Sequence, residues 1–122
     1  MIKVLLSIKP EFVDKIIKGE KKFEYRRKIF KKDVESVIIY ATSPWKKVIG
    51  EFYIDEILAE EPKILWNKTY RFSGVEEKFF MDYFKGSVIG YAIKIGKLEL
   101  YKEPFNITEL VNTPPQSYVY II

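Results

Sequence analysis

The residues best placed to do chemistry fall in one short stretch, Gly19-Glu20-Lys21-Lys22-Phe23-Glu24-Tyr25-Arg26-Arg27. From Phe23 the alternation predicts a strand, with Phe23 and Tyr25 on one face and Glu24 and Arg26 on the other. Residues two apart on a strand face lie about 6.5–7 Å apart at a rise of ~3.3 Å per residue, so Glu24 and Arg26 can hold one another or a single ligand between them. Lys21 has the wrong parity for that face and joins the pair only if it sits in the turn after Gly19. The chain has no histidine and no cysteine, which removes disulfides, thiolate nucleophiles, the commonest general base and the usual zinc ligands. No metal site or cofactor is expected. What remains is charge recognition by lysine, arginine and a carboxylate. A solvated edge strand with ordinary charges fits the same pattern.

The neighbouring elements must position this stretch. Ile2 to Ile8 reads as a buried strand, β-branched and apolar apart from Lys3 and Ser7. Pro10 starts a helix, since its fixed φ and missing N–H suit the first helical position. Glu11 favours its positive end, Lys15 and Lys18 its negative end, and Gly19 supplies a left-handed cap. Phe12, Val13, Ile16 and Ile17 form the apolar stripe, and Lys9 projects from the strand end toward the Gly19–Arg27 stretch. Downstream, Ser36 to Thr42 is a second central strand, broken at Ser43-Pro44-Trp45-Lys46-Lys47 because proline cannot donate to a ladder. The strand resumes from Val48 to about Ile57. Trp45 on this connection fits either a cap on the end of a barrel or a stacking surface for a base. Glu60-Glu61-Pro62 opens a short helical segment to about Lys68. Val75 to Lys85 is a helix whose stripe of Phe79, Phe80, Tyr83 and Phe84 is expected in the core, stopped by Gly86. Ser87 to Ile95 is a strand, Gly96 a bulge or bend, and Leu98 to Tyr101 its continuation. Asn106 caps a last turn through Val111, and Ser117 to Ile121 closes the chain as a strand.

At 122 residues there is room for one domain, residues 1–122, and not for a second. Apolar residues make up 48% of the chain and aromatic residues 16%, enough for a packed core. No apolar run reaches the ~20 residues of a membrane helix, and the start lacks the pattern of a signal peptide, so a cytoplasmic protein without membrane attachment is expected. The net charge of +4 is unevenly spread: residues 15–32 hold nine basic and two acidic side chains, a local +7 on a body of −3. Such a cluster fits a polyanion, nucleic acid first; lysines that merely keep a helix and a turn in solution fit it as well. Five or six strands with interspersed helices and no βαβ rhythm predict an α+β fold around a small, bent, mostly antiparallel sheet that closes on itself.

Gly19-x-Lys21-x-x-Glu24-x-Arg26 resembles the G-x-K-x-x-E-x-R signature of the ASCH domain, in the PUA-like superfamily. The resemblance takes in Ser7-Ile8-Lys9-Pro10-Glu11-Phe12 and Ile16-Ile17-Lys18-Gly19 upstream. It also takes in Tyr40-Ala41-Thr42-Ser43-Pro44, Val48-Ile49-Gly50-Glu51 and Pro114-Pro115-Gln116-Ser117-Tyr118 downstream. It implies a five- to six-stranded PUA-like β-barrel with flanking helices. Its cleft would lie between the first helix, the signature strand and the Tyr40–Trp45 hairpin, binding RNA, single-stranded nucleic acid or a modified nucleoside in transcription- or translation-related regulation. Lys21, Glu24 and Arg26 carry over from the signature, Thr42, Ser43 and Pro44 from the hairpin, and Lys9 and Gln116 less directly; Lys9, Lys21 and Arg26 would neutralise phosphate or hold Glu24, and Thr42, Ser43 and Gln116 would read a base edge. An enzyme subgroup of similar sequence hydrolyses N4-acetylcytidine with a lysine, a threonine nucleophile and a glutamate. Lys21 matches that lysine, but Glu24 stands at the threonine position. Thr42 and Ser43 are the hydroxyls the motifs place near Lys21, and Glu76 or Glu77 would be the second glutamate. Glu24 is expected to keep Lys21 protonated and oppose a base role. A small-ligand or protein-interaction regulatory module is a further alternative.

Overall fold

The computed structural model describes all residues 1–122. Six strands form a single sheet: β1 (Lys3–Ile8), β2 (Phe23–Arg26), β3 (Ser36–Ala41), β4 (Lys47–Glu60), β5 (Gly90–Phe105) and β6 (Tyr118–Ile121), in the spatial order β2-β5-β4-β3-β1-β6. The α-helices are α1 (Pro10–Ile17), α2 (Pro62–Thr69) and α3 (Glu77–Tyr83), with single 3₁₀ turns at Tyr70–Phe72 and Ile107–Glu109. The sheet curls into a half-barrel of α+β type.

Four of the five strand pairings are antiparallel; β1 and β3 run parallel, Lys3 opposite Ser36 through Ile8 opposite Ala41. The sheet is thus mostly antiparallel, as expected, and α1 and β2 lie in the chain between the two parallel strands. β1 and β3 sit centrally and are apolar on both faces, as strands covered on both sides must be. Val4, Leu6, Ile8, Val37 and Ile39 face inward onto Val13 and Ile16 of α1, together with Phe30 and Phe52. Leu5, Ile38 and Tyr40 face outward and are roofed by Ile107 and Val48.

β4 and β5 run past the ends expected for them, to Glu60 and Phe105. Each stretch has its partner opposite, Val48 to Phe105 and Glu60 to Gly90, so pairing carries the strands through weak local propensity. The bend expected near Gly96 is present as register shifts between Phe52 and Glu56.

One polar cluster is buried in the sheet. The Glu51 carboxylate accepts from Lys3 Nζ at 3.0 Å, Ser36 Oγ at 2.9 Å and Tyr101 Oη at 3.2 Å. Burial alone would raise its pKa, but the hydrogen bonds from Lys3 and Ser36 outweigh that and hold it below the usual carboxylate value. A depressed carboxylate contributes stability above its unfolded pKa of about 4.3, lost as the pH falls through its folded value. Urea melts between about pH 3 and 6 are therefore expected to show stability falling with acid, and Glu51→Gln to flatten that slope.

Candidate functional site

The signature is positioned from both ends. On the upstream side α1 ends as its sequence requires: Gly19 has φ +78°, and the amides of Glu20 and Lys21 turn back to the Lys15 carbonyl at 2.9 and 3.1 Å. This places Lys21 in the turn ahead of β2, out of step with the strand, where it can join Glu24 and Arg26. On the downstream side three consecutive carbonyls of the loop before α3 accept from three lysines. Phe72 O takes the Lys22 amide at 2.8 Å, Ser73 O takes Lys21 Nζ at 2.7 Å, and Gly74 O takes Lys15 Nζ at 2.9 Å. Gly74 has φ +70°, and a Cβ there would lie 2.6 Å from the Lys21 Cβ, so only glycine lets loop and lysine meet.

Lys21 is 2% exposed. Its ammonium lies 5.1 Å from the ring centre of Phe12 and 4.8 Å from that of Tyr25, an arrangement that favours the cation. Burial nevertheless pushes its pKa down to about 8; Glu24 opposes this, while Lys15 and Arg26 add to it. Glu24 acts on this lysine in the expected direction, toward the protonated form, while desolvation is the larger effect; at neutral pH the amine is still mostly protonated.

Glu24 is 6% exposed, so the charged face of β2 is no solvated edge. Arg26 grips one carboxylate oxygen, Oε2, with Nε at 3.1 Å and Nη2 at 2.9 Å, and Nη2 also donates to the Ser7 carbonyl at 3.0 Å. Neither Glu24 Oε1 nor Arg26 Nη1 has a protein partner. No buried side-chain polar atom in the chain lacks one, so both atoms reach solvent as a free acceptor beside a free donor.

These groups line a cleft of about 190 Å³ between the end of β1, α1, β2 and α3. Lys9 lines it at the rim, and the walls are aromatic: Phe12, Tyr25, Phe79, Phe80 and Tyr83. Phe12 and Phe79 meet edge to face at 5.7 Å. Tyr25 is fixed from behind, its hydroxyl 2.7 Å from Thr69 Oγ1. The Thr69 proton goes to Leu65 O at 2.8 Å, so the phenol is the donor, and burial pushes its pKa up to about 12. Phe79 and Tyr83, read from the sequence as core, are cleft walls; only Phe80 and Phe84 of that stripe are fully buried. Adjacent residues lie about 100° apart around a helix of 3.6 residues per turn, so Phe80 and Phe84 reach the core while Phe79 and Tyr83 turn to the cleft.

The hairpin residues lie elsewhere. Thr42, Ser43, Pro44 and Trp45 do not line this cleft; Thr42 touches its margin only through its amide, 3.0 Å from the carbonyl of Ile8. Trp45, 43% exposed, lies with Ile17, Ile49, Leu100 and Pro104. Gln116 lines a separate groove with Arg26, Arg27, Lys28, Tyr83, Ser87 and Ser117. No group of three or more metal-ligating side chains is gathered anywhere in the chain, and no helix is long and apolar enough to cross a membrane.

A curled six-stranded half-barrel with a Lys/Glu/Arg cleft at its helix–strand seam defines a PUA-like α+β domain. The chain belongs to the ASCH domain family, whose profile matches residues 6–114. It is 32% identical to a Zymomonas mobilis protein named ASCH domain-containing ribonuclease, over 96% of this chain and 82% of that one. A crystal structure of ASCH from Zymomonas mobilis superposes with a TM-score of 0.89 at 30% identity, covering 98% of this chain and 87% of that chain. A Ureaplasma parvum protein named ATP synthase subunit alpha is 28% identical over 97% of this chain but only 15% of its own length.

Proposed function

We propose that this ASCH domain binds single-stranded RNA and seats one unstacked base in the cleft of Lys21, Glu24 and Arg26. The observation that carries this reading is a buried lysine and a carboxylate–guanidinium pair, each with a free polar atom, on the floor of an aromatic-walled cleft. At about 190 Å³ it is smaller than the ~300–1,000 Å³ of a drug-sized pocket, a fit for one ring system rather than a strand. Aromatic walls stack on any base, worth ~1–3 kcal/mol each, while Glu24 Oε1 accepts from base N–H groups and the cations offset phosphate. The relative named as a ribonuclease supports RNA as the ligand.

A second reading, RNA cleavage in the same cleft, is favoured by that name and by the Lys21 pKa of about 8, which makes a base available near neutral pH. Acyl transfer from N4-acetylcytidine has less support, because Thr42 and Ser43 stand outside the cleft and Glu24 is held by Arg26.

The test is fluorescence anisotropy with a mixed-sequence single-stranded RNA between about 50 and 200 mM salt, with gels of the same mixtures for cleavage. Wild type is expected to bind, less tightly as salt rises. Arg26→Ala is expected to weaken binding by about tenfold or more, the loss of a charge-assisted contact, and Lys31→Ala by less than about twofold. No binding at the lowest salt would sink the reading; equal losses would reduce the signature to part of a basic surface.

A further inference from the structure

We infer that the groove beside the cleft, lined by Arg27, Lys28, Ser87, Gln116 and Ser117, carries the phosphodiester backbone of the strand whose base enters the cleft. This rests on the RNA-binding reading above. Arg26 and Tyr83 line both cavities, so these two side chains form a wall shared by groove and cleft. The groove's lining holds three cations and no carboxylate. Neither Arg27 nor Lys28 forms an ion pair with any acidic side chain of the protein, as the seven salt bridges involve other cations. Their charge is available to an external anion. The Arg27 guanidinium lies over the Tyr83 ring, 4.9 Å from its centre, which holds it at the boundary between groove and cleft. Ser87, Gln116 and Ser117 add neutral donors of the kind that bind phosphate oxygens without reading sequence.

The other basic patch, around Lys22, Lys68, Arg71 and Lys94, fits a polyanion less well. Lys68 is paired with Glu60 and Lys94 with Asp55, so half of its charge is already neutralised. The groove gives Gln116 a part in holding the backbone in place of reading a base.

The experiment compares Arg27→Ala/Lys28→Ala with the charge-matched Lys31→Ala/Lys32→Ala in the full chain, using a short single-stranded RNA of mixed sequence titrated at several salt concentrations. The groove variant is expected to bind about tenfold more weakly at 0.1 M salt, with its log–log salt slope reduced by about 1.4, at roughly 0.7 per phosphate contact on a single strand. The Lys31/Lys32 variant is expected to keep the wild-type slope. Identical behaviour of the two variants, or an unchanged slope in the groove variant, overturns the groove while leaving the cleft standing. Absence of RNA binding by the wild type overturns the RNA reading itself, and the groove with it. All four positions are on the surface, and a thermal melt of each variant confirms the fold.

Discussion

Lys21→Met is expected to abolish RNA binding by the cleft while leaving the melting temperature at neutral pH close to that of wild type. Methionine fills the same space without a charge to desolvate, and that relief offsets the lost hydrogen bond to Ser73 O. The clearer signature is in the pH dependence. An ammonium with a folded pKa of about 8 binds its proton less tightly in the folded than in the unfolded chain, where the value is about 10.4. The unfolded state therefore carries more protons between these values, and wild-type stability should rise with pH there, by roughly 2 kcal/mol from pH 8 to 10. Above pH 10 the phenols of Tyr25 and Tyr101, both pushed up to about 12, act in the opposite sense. Denaturant melts of Lys21→Met should show no rise in that window, and a slope equal to wild type would place the low pKa elsewhere. The same titration separates the two readings of the cleft. Binding through the cation should weaken above pH 8, whereas cleavage by the free amine should strengthen toward it.

Phe80→Ala is expected to cost the most stability of any single change to the cleft. Phe80 is 1% exposed and packs its ring 4.9 Å from Tyr25, 5.0 Å from Trp66 and 4.8 Å from Phe84. Buried phenylalanine-to-alanine changes cost about 3–5 kcal/mol through lost transfer energy and the cavity left behind, against a whole-domain stability of about 5–15 kcal/mol. A fall in melting temperature of roughly 10–20 °C follows for a chain of this size. RNA affinity should fall as well, because the wall that holds Tyr25 collapses. Phe79→Ala is the control: its ring is 45% exposed, so it should weaken RNA binding while lowering the melting temperature only slightly. If Phe79→Ala leaves affinity untouched, the base does not stack on that wall.

Much of the frame was legible in the sequence because its signals are local. Pro10, the α1 stripe and Gly19 fix one helix and its exit, and the alternation from Phe23 fixes β2. The long-range features were not. The parallel pairing of β1 with β3 joins strands whose order no local periodicity records. In a chain of 21 lysines and arginines, composition favours reading Lys21 as a surface charge. It is buried because Gly74, Ser73 and Phe12, distant in sequence or on another element, close over it. The aromatic stripe of α3 was read as a single core-facing set because the mouth of the cleft is made by tertiary packing. The hairpin at Thr42–Trp45 was placed by resemblance alone, and its side chains lie outside the cleft.

The pairing of the first strand with the last brings the two ends of the domain together. Lys3 stands opposite Ile121 in the antiparallel ladder of β1 and β6, which sets those two backbones about 5 Å apart. A unit whose entry and exit lie side by side can be spliced into a surface loop of a host, or have its ends joined and new ones opened, without stretching either backbone.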